Sequence, residues 1–369
     1  MKKLLSLVAA LALLGAACGG SGDGPDPAED PKGALVSAFE GLQGGSRTIV
    51  FTVESTPESL NALASTNGGA GMTPEDSQKI LDSSLTVSAE GEGEDAKAQV
   101  LVNIAGNEGA VEMRVIGKDF YLRADVRGLM EQFGVDTSQL DTVAAQAETQ
   151  GLTFVGPAID GEWLGIKGLQ DSLGQLTGGA ATPSMDQQQI INDITEAVKS
   201  KATVTEEGTD DVGTHLKVAL PIRDLYTELS GSLQQLSGSI PGAELPDPSE
   251  IPDEDVNLDV WVDGGDLKQV EIDFLQFAEL AGEAVPDGVD QLAFRIAFTE
   301  FSGDTSVPEG AVEVDPSVIF QSLLGGLGGM PGSTGGTAVP GGDTGFDCSQ
   351  LEGAPKDVKK QFQDLCPGI

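Results

Sequence analysis

The sequence predicts an α+β fold: a large antiparallel sheet packed against short helices. Three observations predict it. Apolar residues recur at every second position over many short segments, as in strands with one face turned to a core. Gly-, Asp- and Glu-bearing turns separate those segments at hairpin spacing. Between them lie short stretches opened by Thr-Pro-Glu, where a capping Thr and a proline at the first helical position start a helix. With 369 residues and 39% hydrophobic content the chain can build a substantial core.

Met1 to Cys18 reads as an export leader: Lys2 and Lys3 form a basic end, and Leu4 to Ala17 is apolar or small. The apolar run is too short for a permanent span, and no second segment is long enough for one. Gly19 to Pro31 is rich in Gly, Asp and Pro and is expected to be a solvated tether over residues 18–31. The folded body is expected over residues 32–323. It begins with a helix over Ala34 to Leu42, then a strand over Thr48 to Val53 with Ile49, Phe51 and Val53 on one face. Helices start at Thr56-Pro57-Glu58 and Thr73-Pro74-Glu75.

Leu85–Glu90, Ala98–Ala105, Ala110–Ile116 and Asp119–Ala124 form a meander. Its apolar alternation (Val100, Val102, Ile104; Val111, Met113, Val115; Phe120, Leu122) predicts one buried and one wet face. Helices follow at Val126 to Phe133 and Ser138 to Ala147, then a strand at Gly161 to Ile166 and a short helix at Leu169 to Leu176. Asp186 to Lys199 is amphipathic, and Ala202–Glu207 pairs with Thr214–Leu220 as a hairpin. Phe120 to Leu129 echoes His215 to Leu225, each a strand running into a helix, with Arg127 and Arg223 near the helix starts. Leu258, Val260 and Val262, then Val270, Ile272 and Phe274, then Leu292, Phe294, Ile296 and Phe298 give the clearest alternation. Residues 324–346 form a Gly/Pro-rich linker. Residues 347–369 form a small knob containing Cys348, Cys366 and the basic trio Lys356, Lys359 and Lys360.

The formal net charge is −39, and loss of Lys2 and Lys3 with the leader takes it to −41. Such a field repels polyanions, so no nucleic-acid partner is expected. No catalytic constellation is legible. His215 is the single histidine and sits in a strand pattern, so neither a common zinc triad nor a Ser-His-Asp site can be assembled. Phosphate-loop and nucleophile-elbow motifs are absent from the sequence. The acidic run Asp253-Glu254-Asp255, near Asp247 and Glu250, lacks the spacing of a calcium loop and reads as a solvated loop. The chain is expected not to be an enzyme and to need no metal or cofactor.

Two resemblances add to this reading. Leu14-Gly15-Ala16-Ala17-Cys18 resembles a bacterial lipobox, although Gly15 stands where the pattern usually has Leu. It implies a leader over residues 1–17 and acylation of Cys18, which anchors the mature chain on the outer face of the cell membrane. With Cys18 acylated, Cys348 and Cys366 remain and can pair as a disulfide. The second rests on the order strand, paired helices (TPESLNALA, TPEDSQKILDSS), meander (AVEMRVIGKDFYLRADV), GEWLGI, central helix, hairpin (VNLDVWVDGGDLKQVEIDF) and long final strand. This order, over Arg47 to Phe301, resembles actinobacterial envelope lipoproteins of the LolA/LppX (LprG-like) lipid-carrier type.

That resemblance implies a strongly curved antiparallel sheet, a half-barrel packed on short helices, with an apolar cavity for a lipid or glycolipid. Its candidate lining is Phe51, Val102, Met113, Leu122, Leu220, Val260, Ile272, Phe274, Phe294 and Ile296. The alternative expectation is a non-catalytic envelope lipoprotein with a filled core, whose basic knob docks an envelope protein. Replacing Cys18 with alanine is expected to abolish incorporation of labelled palmitate and to release the chain from the membrane fraction, read by metabolic labelling and fractionation.

Overall fold

A computed structural model describes residues 24–42, 46–66, 72–91, 95–169, 187–227, 247–280, 282–316 and 318, with no side-chain description at 187–191 and 194. The leader, Cys18, the linker and the knob with Cys348 and Cys366 lie outside the described residues. So do the expected loops at Asn67–Gly71 and Gly178–Ser184 and nearly all of the helix at Leu169–Leu176.

The fold is α+β, built on one open sheet of twelve strands. In chain order these are β1 (Arg47–Ser55), β2 (Ser84–Glu90), β3 (Lys97–Ile104), β4 (Asn107–Ile116), β5 (Asp119–Ala124), β6 (Leu164–Ile166), β7 (Thr203–Thr209), β8 (Thr214–Pro221), β9 (Asp255–Asp263), β10 (Asp266–Asp273), β11 (Leu292–Glu300) and β12 (Val312–Glu313). Their spatial order is β12-β6-β5-β4-β3-β2-β1-β11-β10-β9-β8-β7. Every pairing is antiparallel except β12 with β6. Short tight turns explain the meanders, and β1 joins the two halves by pairing with β2 on one side and β11 on the other.

The helices are α1 (Pro31–Glu40), α2 (Pro57–Thr66), α3 (Pro74–Leu81), α4 (Val126–Gln132), α5 (Leu140–Thr149), α6 (Val155–Ile159), α7 (Gln187–Lys201) and α8 (Leu275–Leu280). Residues 222–227 are also helical and follow β8 directly, as the echo with Asp125-Val126-Arg127 suggests. The Thr-Pro-Glu starts work as capping predicts. Thr56 Oγ1 accepts from the Ser59 N–H at 3.1 Å, and Thr73 Oγ1 from the Asp76 N–H at 3.1 Å. Ser59 also pins α2 to the entry of β11, its Oγ accepting from the Asp290 N–H at 3.0 Å.

The tether expected over residues 18–31 ends earlier than its composition suggests. The Asp26 carbonyl accepts from the Glu29 and Asp30 N–H groups, and Asp30 then caps α1 through the Gly33 N–H. Gly24 sits against the β9–β10 turn, where an added Cβ would lie 3.1 Å from the Gly265 Cα. Short acidic caps thus order the end of this stretch as a turn, although most of its residues stay exposed.

The register puts all the predicted apolar alternation on one face. Ile49, Val87, Val100, Met113, Leu122 and Leu164 are successive partners from β1 to β6. Phe51, Ile296, Val270, Val260 and Leu216 continue the same face from β1 to β8. Over β8–β11 this face is closed by α1, α7 and residues 222–227, through Leu35, Ala38, Val198, Ile222 and Leu225. A smaller core closes the far end, where Leu164, Ile166 and Val314 meet Phe120, Phe154 and Ala158.

The other face corrects the expectation of a wet side. From β1 to β6 runs a second row of partners: Thr48, Ser88, Gln99, Arg114, Tyr121 and Gly165. All six are buried, whereas Val100, Val102, Met113 and Leu122 on the apolar side are only half-buried. The cause is the segment 301–311, which leaves β11, crosses the polar face of β1–β6 and ends as β12. Thr48 Oγ1 accepts from the Ser302 N–H at 2.9 Å, and Gln99 Oε1 from the Asp304 N–H at 2.8 Å. Arg114 pairs with Asp304 at 2.8 Å and donates to the Ser306 carbonyl at 2.9 Å. The Val312 N–H then reaches the Trp163 carbonyl at 2.7 Å.

The crossing is tight at Gly303, where an added Cβ would fall 2.5 Å from the Ser88 Cβ. Gly303→Ala is therefore expected to lift the segment and destabilise the fold by about 1–3 kcal/mol. The check is urea unfolding, with a lower midpoint at an unchanged slope.

Candidate functional site

The sequence-predicted lining residues all lie on the apolar side of the sheet, but in two environments. Leu220, Val260, Ile272, Ile296 and Phe51 are buried in the core beneath α1 and α7; Val260 is 1% exposed. These five belong to a packed core, because the helices fill the space above them. Val102, Met113, Leu122, Phe274 and Phe294 are only half-buried. Phe294 stacks on Phe51 with centroids 5.9 Å apart and meets Phe274 edge-on at 6.3 Å, walling off the packed region.

Between the two closed cores lies the middle of the apolar face, on β2, β3 and β4. Leu85, Val87, Val100, Val102, Val111 and Met113 line it. Leu85, the register partner of Phe51 and Val102, is 37% exposed. Helix α3 reaches this half at β1 and α4 at β4. Near the β3–β4 turn the helices carry exposed apolar side chains of their own, Ile80 on α3 and Phe133 after α4, the latter 55% exposed. The apolar strand residues here are half-buried and are flanked by exposed apolar helix residues.

Polar groups knit the rim near the β3–β4 turn. Lys79 Nζ donates to the Gln132 carbonyl at 3.3 Å and lies 5.9 Å from the Phe133 ring centre. Gln132 Nε2 donates to the Ala105 carbonyl at 2.8 Å, and Ser83 Oγ accepts from the Ala105 N–H at 2.9 Å. Ala105 itself holds a left-handed φ of 52°. This knot joins the C-terminal ends of α3 and α4 to the sheet.

No charged group lies among the β2–β4 apolar residues; the charges gather on the opposite side. Glu112, 2% exposed, receives Gln99 Nε2 at 2.6 Å, Arg114 Nε at 2.9 Å and Arg123 Nε at 2.9 Å. Both guanidiniums also lie over the Trp163 ring, at 4.8 and 5.0 Å. Burial pushes the Glu112 carboxyl up, but the Gln99 and Arg114 hydrogen bonds and the two positive charges outweigh it and hold it below its ordinary value. Asp304 is lowered by its Ser306 hydrogen bonds and by Arg114, and Glu90 by Thr305 and Lys97.

The lone histidine sits in a cross-strand cluster of side chains. His215 stacks on its cross-strand partner Trp261 at 4.5 Å, and its Nε2 lies 2.8 Å from Asp259 Oδ1. The Trp261 indole N–H donates to Asp210, which also caps the β7–β8 turn through Val212 and Gly213. Of the acidic run, Asp253 pairs with Arg223 at 3.1 Å, while Asp247 caps the single turn Pro248–Glu250. Among the described residues no cluster of His, Cys, Asp and Glu is arranged to hold a metal ion. Nor is any described helix long and apolar enough to cross a membrane.

Sequence reasoning missed the buried polar row and the segment that covers it. Alternation marks Gln99, Glu112 and Arg114 only as positions off the apolar face, and nothing in it tells a covered polar face from a wet one. No protein-family model and no curated protein matches the chain.

A carboxylate whose native value is depressed contributes stability that is full above its unfolded value and is lost as pH falls through the native one. For Glu112 the unfolded reference is 4.5. Wild-type stability is therefore expected to fall steeply below about pH 4.5, whereas Glu112→Gln is less stable near pH 7 with a shallower acid dependence. Urea unfolding across that range checks both.

Proposed function

We propose that this chain is an exported, non-enzymatic envelope lipoprotein that holds the alkyl part of a lipid or glycolipid on the apolar face of β2–β4. Cys18 carries the acyl groups that anchor it, and the sheet curves around the ligand beneath α2–α6. One observation carries the reading. The apolar side chains of β2–β4 stay half-open while Ser88, Gln99, Glu112 and Arg114 on their reverse are buried. A sheet that needed this surface only for its own core would fill it first. Leu85, Val100, Val102, Val111 and Met113 would contact the chain, with Phe294 and Phe274 as the wall toward the packed core. Each methylene buried there gains about 0.8 kcal/mol, so a ten-carbon stretch gains on the order of 8 kcal/mol before the costs of association.

A second reading has an observation of its own. Five of the ten residues that the resemblance marks as lining are packed under α1 and α7. That favours an interaction lipoprotein with a filled core, presenting the basic knob on its Gly-rich arm to an envelope protein. Deleting residues 325–369 separates the two, since a lipid binder keeps its ligand and an interaction arm loses its partner.

The full chain carrying Cys18→Ala, secreted and purified without detergent, is expected to show a discrete added mass in native mass spectra that leaves on unfolding. Val102→Glu is expected to lose that mass while keeping the wild-type circular dichroism spectrum. A clean polypeptide mass that takes up no added lipid would favour the interaction reading.

A further inference from the structure

The sheet ends differently on its two sides. On one side β12 is two residues long, and the segment 301–311 runs into it. On the other, β7 runs for seven residues and, among the described residues, pairs with β8 alone. Alternate residues of such an edge turn their N–H and C=O groups away from the sheet, where a further strand can pair with them. The edge is held in place from beneath, because Val204 packs against the core under α1 and α7. Ordering it for a partner therefore costs little. Thr203, Thr205, Glu206, Glu207 and Thr209 are all exposed.

The charges along β7 decide which strand can join it. Glu206 and Glu207 are followed by Asp210 and Asp211 in the turn, and Asp259 and Asp263 lie on β9. These acids outnumber Lys217, which sits on β8 opposite Asp259. A second copy of this chain paired along β7 would bring like carboxylates together, and the bulge between Glu206 and Gly208 twists the edge further against such pairing. A basic strand meets the opposite condition, since its cations face carboxylates. The register leaves room for their side chains. Gly208, the partner of His215, holds a φ of 139°, and an added Cβ there would meet nothing within 4 Å. Trp261 takes one ring face of His215, so the Gly208 side has space for the apolar stem of a long cationic side chain. We propose that β7 is a docking edge for a partner protein that offers an extended strand rich in lysine or arginine. This goes beyond the lipid-binding reading and does not depend on it.

The test uses the full chain carrying Cys18→Ala and three labelled octapeptides. One alternates Lys and Thr; the second is the same peptide methylated at every backbone nitrogen, which keeps its charge but removes its backbone donors; the third alternates Glu and Thr. Binding is read by fluorescence anisotropy at low salt and located by amide hydrogen exchange. The Lys-Thr peptide is expected to bind about tenfold tighter than its methylated form, the ratio of roughly one net hydrogen bond, and to slow exchange at residues 203–209. The Glu-Thr peptide is expected not to bind. Glu206→Lys with Glu207→Lys is expected to weaken binding about tenfold, the ratio of roughly two surface ion pairs. Glu131→Lys with Glu148→Lys makes the same charge change at exposed positions of α4 and α5 and is expected to leave binding within about twofold. Equal binding of the methylated peptide or of the Glu-Thr peptide, equal weakening by the two pairs of substitutions, or slowed exchange confined to other segments would overturn the docking edge in favour of diffuse attraction to an acidic protein. No binding of the Lys-Thr peptide would also overturn it. So would exchange at 203–209 that slows with protein concentration alone, which marks pairing between copies.

Discussion

The buried contact of Glu112 with Gln99, Arg114 and Arg123 is the interaction on which half of this structure depends. A carboxylate removed from water is tolerable only when paired and fully hydrogen-bonded. Here it is met by one amide and two guanidiniums on three adjacent strands. Arg114 then reaches out of the sheet to Asp304 and Ser306 and holds the segment 301–311 across six strands. The same segment ends as β12, so the charge cluster also closes the edge of the sheet at β6. Removing Glu112 would leave two neighbouring guanidiniums with no carboxylate between them, and removing Arg114 would leave the buried carboxylate with Arg123 as its cation, so these members are coupled.

Once the reverse face is buried, the demands on the apolar face change. The half of the sheet formed by β8–β11 follows the ordinary rule: Val260, Ile272 and their neighbours are covered by helices, while Asp259, Glu271 and Arg295 form partly exposed pairs behind them. In β2–β5 the backbone ladder, the covering segment and the Glu112 cluster already hold the strands together. Helix cover on the apolar side can then be incomplete without loss of the fold. The structure thus separates a half whose apolar face is packed from a half whose apolar side chains are only half-buried. The Phe51–Phe294–Phe274 contacts mark the border between them.

Much of this was legible in the sequence because alternation with period two is a local signal. The strands from Thr48 to Phe298, the Thr-Pro-Glu helix starts and the hairpin at Gly264-Gly265 all follow from it. The shared face of Phe51, Val102, Met113 and Ile272 was equally readable, since register keeps parity. Which of these residues is closed over depends on helices far away in sequence, and alternation carries no information about them. Phe301 to Ala311 reads as loop, and its role depends on Gly303 fitting over Ser88 and Asp304 reaching Arg114, both long-range matters. Helices α6 and α8 are too short to show a period. The lone His215 was readable as a strand residue, but its stack on Trp261 required the register of β8 against β9.

The strand directions bear on how a bound lipid would be handled. Gly24 lies at the β9–β10 turn, which the register places at the Arg47 end of β1. The β3–β4 turn, with Gln132, Phe133 and Ile80 around it, lies at the opposite, Ser55 end. A strand of nine residues spans about 30 Å. On the proposed reading Cys18 precedes Gly24 by only a few residues, a reach of roughly 20 Å even when fully extended. On that reading an acyl anchor there would hold the β9–β10 end toward the membrane and turn the β3–β4 end outward. The strongly negative chain adds to this bias, because it is repelled by anionic head groups and gains nothing by lying flat on them.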